Sequence, residues 1–385
     1  MLSKNRKLFV GIFGAAGALA LAVGCGGSSD SGAGGGGGSS TGGSGGGTVD
    51  PPCTDCTVPP AQPSGAPTGD GAGTTLAVNK LYLGDTDWSG NPSPDAWKDF
   101  GYDLDGFKST KNSANHCKVN AGGSKAAIQT DGNGGIDNSF GYNILPIIIN
   151  LATDASTKIN ENLDAGAFTI IVKIDGIGGG ANYAGLPAAL YAGGQLVDAN
   201  GNKTAPNWDG TDEWPVYCEL MNDCQTSGTK QIADGNDSKV KFLSSYVADH
   251  TWVSGSKGNV SLSLSVSGYS LSLTIRNAVL TAKLDGSNPP AGATHGIIAG
   301  ILETEELITS LKAVAGNIDS SLCEGPTFDN IAQQIRAASD IMKDGTQNPD
   351  ALCDGISIGL GFDMKPVQLG KVMDKAEAGP NPCAQ

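Results

Sequence analysis

Residues 259–284 read NVSLSLSVSGYSLSLTIRNAVLTAKL, and they decide the class of fold. Val260, Leu262, Leu264 and Val266 alternate with serines, and after a turn at Gly268 and Tyr269 the alternation resumes with Leu271, Leu273 and Ile275. A period of two, apolar on one face and hydroxylated on the other, describes antiparallel strands that cover a core on one side. Working outward, FTIIVKIDGI (168–177), LYAGGQLVDANG (190–201), KVKFLSSYV (239–247) and GISIGLGFDM (355–364) read as further strands.

Helical spacing is confined to two regions. NILPIIINLATDASTKINENL (143–163) sets Ile144, Ile148, Leu151, Ala155 and Ile159 on one stripe, with Pro146 tolerated in a first turn. Between 296 and 345, one stripe carries Ile298, Ile301 or Leu302, Leu307 or Ile308, and Leu311. A second carries Phe328, Ile331, Ile335 and Ile341 or Met342, and stops at Gly345. The expected body, residues 76–385, is therefore mainly β with a few helices: an antiparallel, jelly-roll-like β-sandwich with helical excursions near 143–163 and 296–345.

The amino-terminal quarter is of another kind. Lys4, Arg6 and Lys7 precede an apolar run from Leu8 to Ala22 and the sequence AVGC ending at Cys25, which reads as a secretory signal over residues 1–24. The AVGC ending resembles the lipobox of bacterial lipoproteins. That resemblance implies acylation of Cys25, a membrane anchor without a spanning helix, and, since Gly26 rather than aspartate follows, a cell-envelope location at the outer membrane or cell surface. From 25 to 75 the chain is rich in Gly, Ser and then Pro, and it reads as a flexible linker.

Removing the signal lowers Lys plus Arg from 24 to 21 against 39 Asp plus Glu, a net charge of −18. Such a chain repels phosphate backbones and attracts cations, which excludes nucleic acid as a partner. With Cys25 acylated, eight cysteines remain, and in an exported chain an even number reads as disulfides. Closeness in sequence favours Cys218 with Cys224 and Cys323 with Cys353; zinc at CTDC (53–56) lacks a second cysteine pair or a nearby histidine.

Three stretches could carry chemistry. TDGNGGIDNSFG (130–141) offers Asp131, Asn133 and Asp137, and GYDLDG (101–106) offers Asp103 and Asp105. DTDWSGNPSPD (85–95) adds Asp85, Asp87, Asn91 and Asp95. Carboxylates packed this closely repel one another, and a divalent cation relieves them. DLDG and DGNGGIDN resemble degenerate pieces of the calcium repeats of the thrombospondin type 3 class, in which such aspartates ligate calcium. Here the elements are about 25 residues apart, Asn133 replaces an aspartate, and there is no tandem array. An EF-hand is excluded, because Ile136 and Tyr142 stand where its loop needs glycine and glutamate. The other reading of 130–141 is an Asx-rich turn that opens the following helix. DANGN (198–202) reads as a hairpin turn, since Lys203 would repel an ion.

PNWDGTDEWPVYCEL (206–220) sets Trp208, Trp214 and Tyr217 among acidic residues, a composition suited to stacking on a sugar and accepting its hydroxyls. A glycan hydrolase would need a carboxylate pair, for which Glu213 and Glu219 are the candidates. His116, His250 and His295 lie near no nucleophile pattern, so no catalytic residues are assigned. The expected function is a lipid-anchored binding or structural module in the cell envelope, stabilised by calcium and contacting a glycan or a surface protein.

Overall fold

The computed structural model describes residues 49–151, 154–222, 238–255, 257–266, 269–374 and Cys383. The signal peptide, Cys25, the Gly/Ser stretch to 48 and Cys224 lie outside them. The chain divides after Gly45 into two units, and every described residue belongs to the second.

The strands are β1 (Thr74–Tyr82), β2 (Thr169–Ile174), β3 (Tyr183–Gly193), β4 (Glu213–Tyr217), β5 (Val240–Ala248), β6 (Thr251–Val253), β7 (Gly258–Val266), β8 (Tyr269–Leu284), β9 (Ala293–Glu303), β10 (Gly355–Pro366) and β11 (Gln368–Met373). The helices are α1 (Lys125–Ile128), α2 (Leu145–Leu151), α3 (Ala155–Asp164), α4 (Thr304–Ile318) and α5 (Pro326–Ala337). A single π-helical turn, Phe140–Ile144, feeds α2.

The expected hairpin forms as β7 and β8, with Val260 opposite Ile275, Leu262 opposite Leu273 and Leu264 opposite Leu271. The expected sandwich does not form. The sheet runs β3-β2-β1-β10-β9-β8-β6-β5, and β5 pairs back onto β3, which closes an eight-stranded antiparallel barrel. Closure leaves the ring without an edge, which a sandwich cannot do. β7 hangs from β8, β4 from β3, and β11 pairs parallel with β4 outside the ring.

One hydrophobic cluster draws side chains from all eight ring strands, including Leu76, Val172, Leu190, Phe242, Trp252, Leu280, Ile298 and Leu360. Only the barrel interior is common to all eight, so this is the inner core, and residues of the helices extend it, among them Ile144, Ile159, Leu311 and Ile335. Asn160 of α3 pairs both amide and carbonyl of Leu81 through its side chain, as a neighbouring strand would, just past the β1–β10 register shift between Val78 and Lys80.

Four further expectations are corrected. The run 296–303 belongs to strand β9, not to the start of a helix; its outer face is also buried, with Ile297 and Ala299 packed with Phe100 and Tyr102, so residues 296–302 are apolar without a break. The last helix ends at Ala337, which frees Asp340 and Ile341 from it. Cys323 pairs with Cys383 and Cys353 with Cys117, so Cys323 and Cys353 are not partners; Cys53 pairs with Cys56, and Cys218 is also bridged. Finally, the end of the expected linker, residues 49–73, is bound to the body: Cys53 donates to Gly106, Thr57 to Gly134, and Asp70 to Gly176, all through backbone amides at 2.7–2.9 Å.

Candidate metal centre

The outer face of β10 positions the site. In GISIGLGF (355–362) the large residues Ile356, Ile358, Leu360 and Phe362 face the inner core, so Gly355, Ser357, Gly359 and Gly361 face outward. These small residues let another layer lie directly on the barrel wall. A Cβ on Gly359 would collide with the backbone of Phe100, and one on Gly361 with the Phe100 ring.

Asn138, almost fully buried, clamps that layer to the strand. Its side-chain amide donates to the carbonyls of Trp97, Phe100 and Gly359, and its oxygen accepts from the amides of Gly359 at 3.0 Å and Gly141 at 2.9 Å.

Held this way, two loops from different parts of the sequence converge. Carboxylate oxygens of Asp103, Asp105 and Asp137 lie within 4.8 Å of one another. Each aspartate also has an amide that fixes it: Asp103 accepts from Gly106 at 2.7 Å, Asp105 from Phe107 at 2.9 Å, and Asp137 from Leu104 at 2.7 Å. Asp131, which accepts from the Ser109 amide, stands beside them. Asp340, missed in the sequence because it was read into a helix, joins from the other side and accepts from the amide and hydroxyl of Ser357. A cavity of about 10 Å³, roughly one water-sized sphere, lies against Asp131, Asp137 and Asp340.

Among the described residues no Lys or Arg forms an ion pair with any of these five aspartates; the basic neighbour is His116, 3.7 Å from Asp105. The electrostatics follow from that imbalance. Burial, reinforced by Asp105, pushes Asp103 to about 6. Burial, with repulsion from Asp105, Asp340 and Asp103, pushes Asp131 to about 8. Asp340 rises to about 7 through burial and Asp105. Asp137 is driven well above the carboxylate range by burial and then by Asp105, Asp131 and Asp340. Burial also raises Asp105, against its hydrogen bonds from Gln347 and Phe107 and the attraction of His116.

Calcium–oxygen distances of about 2.3–2.6 Å place oxygens on opposite sides of an ion about 5 Å apart, so the three-carboxylate spacing fits one shell. The sequence-derived set is thus brought together at Asp103, Asp105, Asp131 and Asp137. Asn133 is not part of it: its exposed amide donates instead to Asp99. Cys53 and Cys56 also approach Asp103, but their sulfurs are joined to each other, so they supply no thiolate.

The aromatic loop lies on another part of the barrel wall. Trp214 is fully buried, donates its ring N–H to the Gly194 carbonyl, and stacks at 5.2 Å on the partly buried Trp208. Both belong to a second cluster between β4, β11 and the outer faces of β2 and β3. Tyr217 is partly buried at the end of β4. Glu213 is exposed on β4, and the side chain of Glu219 lies outside the described set. Among the described residues, Trp208 and Trp214 thus pack on each other within that cluster, with Glu213 exposed on β4. No family model matches this chain, and the comparisons with curated proteins and with solved structures return no match.

Proposed function

We propose that this chain is a lipid-anchored cell-envelope protein, tethered through acylated Cys25, whose barrel serves as a binding or structural module stabilised by calcium. Asp103, Asp105 and Asp137 would supply the ligands, with Asp131 beside them. The observation that carries this reading is the convergence, on the outer wall of β10, of carboxylates from two loops with no Lys or Arg ion-paired to them among the described residues. Charges so placed need a cation or protons, and a hard divalent ion matches an all-oxygen set. The anchor rests on the AVGC resemblance.

The test is the melting temperature of the oxidised full chain at pH 7.5, with millimolar calcium and then with excess chelator. An ion bound at about 100 times its dissociation constant adds about 2.7 kcal/mol to the native state. Calcium should raise Tm in the native chain and leave Asp103→Asn/Asp137→Asn unmoved; equal Tm with and without calcium in the native chain would sink the proposal.

A further inference from the structure

A groove of about 370 Å³ runs past the far side of the Trp97–Tyr142 wall from the acidic cluster. Its volume falls within the range of small-ligand sites. Tyr142 is 42% exposed and forms the open part of the wall, and Trp97 backs it with ring centroids 4.6 Å apart. Pro92, Pro94 and Pro146 supply rigid apolar sides.

Among the described residues, one charged group lines this groove. Asp85 forms no ion pair among the described residues, and its buried Oδ1 has no hydrogen-bond partner. Its neighbours in the same acidic stretch are all accounted for. Asp87 accepts from Ser89 and Asn91 within its own turn, and Asp95 pairs with Lys98 at 2.6 Å.

We propose that this groove binds a quaternary ammonium group. An unpaired carboxylate in an apolar setting calls for a positive charge, and the chain as a whole, at −15, attracts one. The face of Tyr142, backed by Trp97, offers the negative potential of aromatic rings to a cation. The choice of a methylated cation follows from the scarcity of acceptors. A primary ammonium brings three N–H donors, whereas the groove's side-chain acceptors are the Asp85 carboxylate and the Ser93 and Tyr142 hydroxyls, set among otherwise apolar or aromatic walls. A trimethylammonium group needs no hydrogen bonds and matches the apolar sides.

The experiment is calorimetric titration of the full oxidised chain with choline, with its neutral isostere 3,3-dimethyl-1-butanol, and with N-acetyl-lysine methyl ester. Choline should bind, the neutral isostere at least about tenfold more weakly, and the lysine ester more weakly than choline. Tyr142→Leu keeps apolar area but removes the aromatic face, and Asp85→Asn keeps shape but removes charge. Each should lower choline affinity about tenfold while leaving Tm in place. Equal binding of the isostere, tighter binding of the lysine ester, unaltered affinity in both variants, or no choline binding at tens of millimolar would each overturn the assignment.

Discussion

Two acidic turns of near-identical composition meet opposite fates. In DANGN, Asp198 is exposed, accepts from the amides of Asn200 and Asn202 at 2.8 Å each, and is held below the usual carboxylate range chiefly by its bonds to Asn202. In DGNGGID, Asp131 and Asp137 are carried under the loop layer against β10, where burial and other carboxylates drive both upward. The residue types do not decide the outcome. What decides it is whether the turn's own amides and water can solvate the charge, or whether the barrel wall has removed the water and gathered more carboxylates.

The contrast can be broken most forcefully through the scaffold. Replacing Cys117 and Cys353 with serine opens a bridge spanning 236 residues beside His116 and Asp340. A loop of that length corresponds to about 5 kcal/mol of lost stability, measurable by urea denaturation, and the buried set should lose its calcium response while the Asp198 turn is untouched. Gly359→Ala pushes on the Phe100 backbone and should cost about 3 kcal/mol or more by the same measurement. Gly201→Ala, at a turn with open space around it, pays only for its positive φ of 82° and should cost about 1 kcal/mol.

Acidity sharpens the comparison next. Asp131 rises from 3.8 to about 8, so the folded chain holds a proton that the unfolded chain has released. The stabilisation from that proton is complete below about 4 and is lost as pH climbs through about 8, and Asp340, raised to about 7, acts in the same direction. In chelator, Tm should therefore fall by several degrees between pH 5 and pH 8.5, and calcium should remove most of the fall. The smallest effect belongs to Asp198→Ala. Since Asp198 is lowered, its contribution is present above the unfolded pKa and fades as pH drops below it, so the variant should barely move Tm at pH 7 and should respond to calcium as the native chain does.

Much of this was legible locally. The hairpin followed from serine alternation, the 143–163 helices from their stripe, and the grouping of the DLDG and DGNGGID aspartates from their likeness to pieces of a cation-binding repeat. Barrel closure was not, because it rests on Leu186, Ala188 and Leu190 meeting Ser245, Phe242 and Val240, partners fifty or more residues apart with no mutual signal in their patterns. β9 was misread because a strand buried on both faces loses the alternation that marks strands. Asp340 was hidden by a helical stripe that continued in the sequence past the point where the helix stops. Asn138 left one usable trace: the Gly-x-Ser-x-Gly-x-Gly face of β10, small on every second residue, announces that something must press against it.

The strap formed by residues 49–73 has a mechanical consequence. Cys53 and Thr57 are bonded to Gly106 and Gly134, the glycines of the two loops that carry the acidic residues, and the Asp103 amide returns a bond to the Thr57 carbonyl. Tension entering from the amino-terminal side would load these few bonds in turn before it reached the strand ladders of the barrel. The strap would peel first and shear the two loops apart, so the carboxylate cluster is the fuse in the load path and the barrel is what it protects.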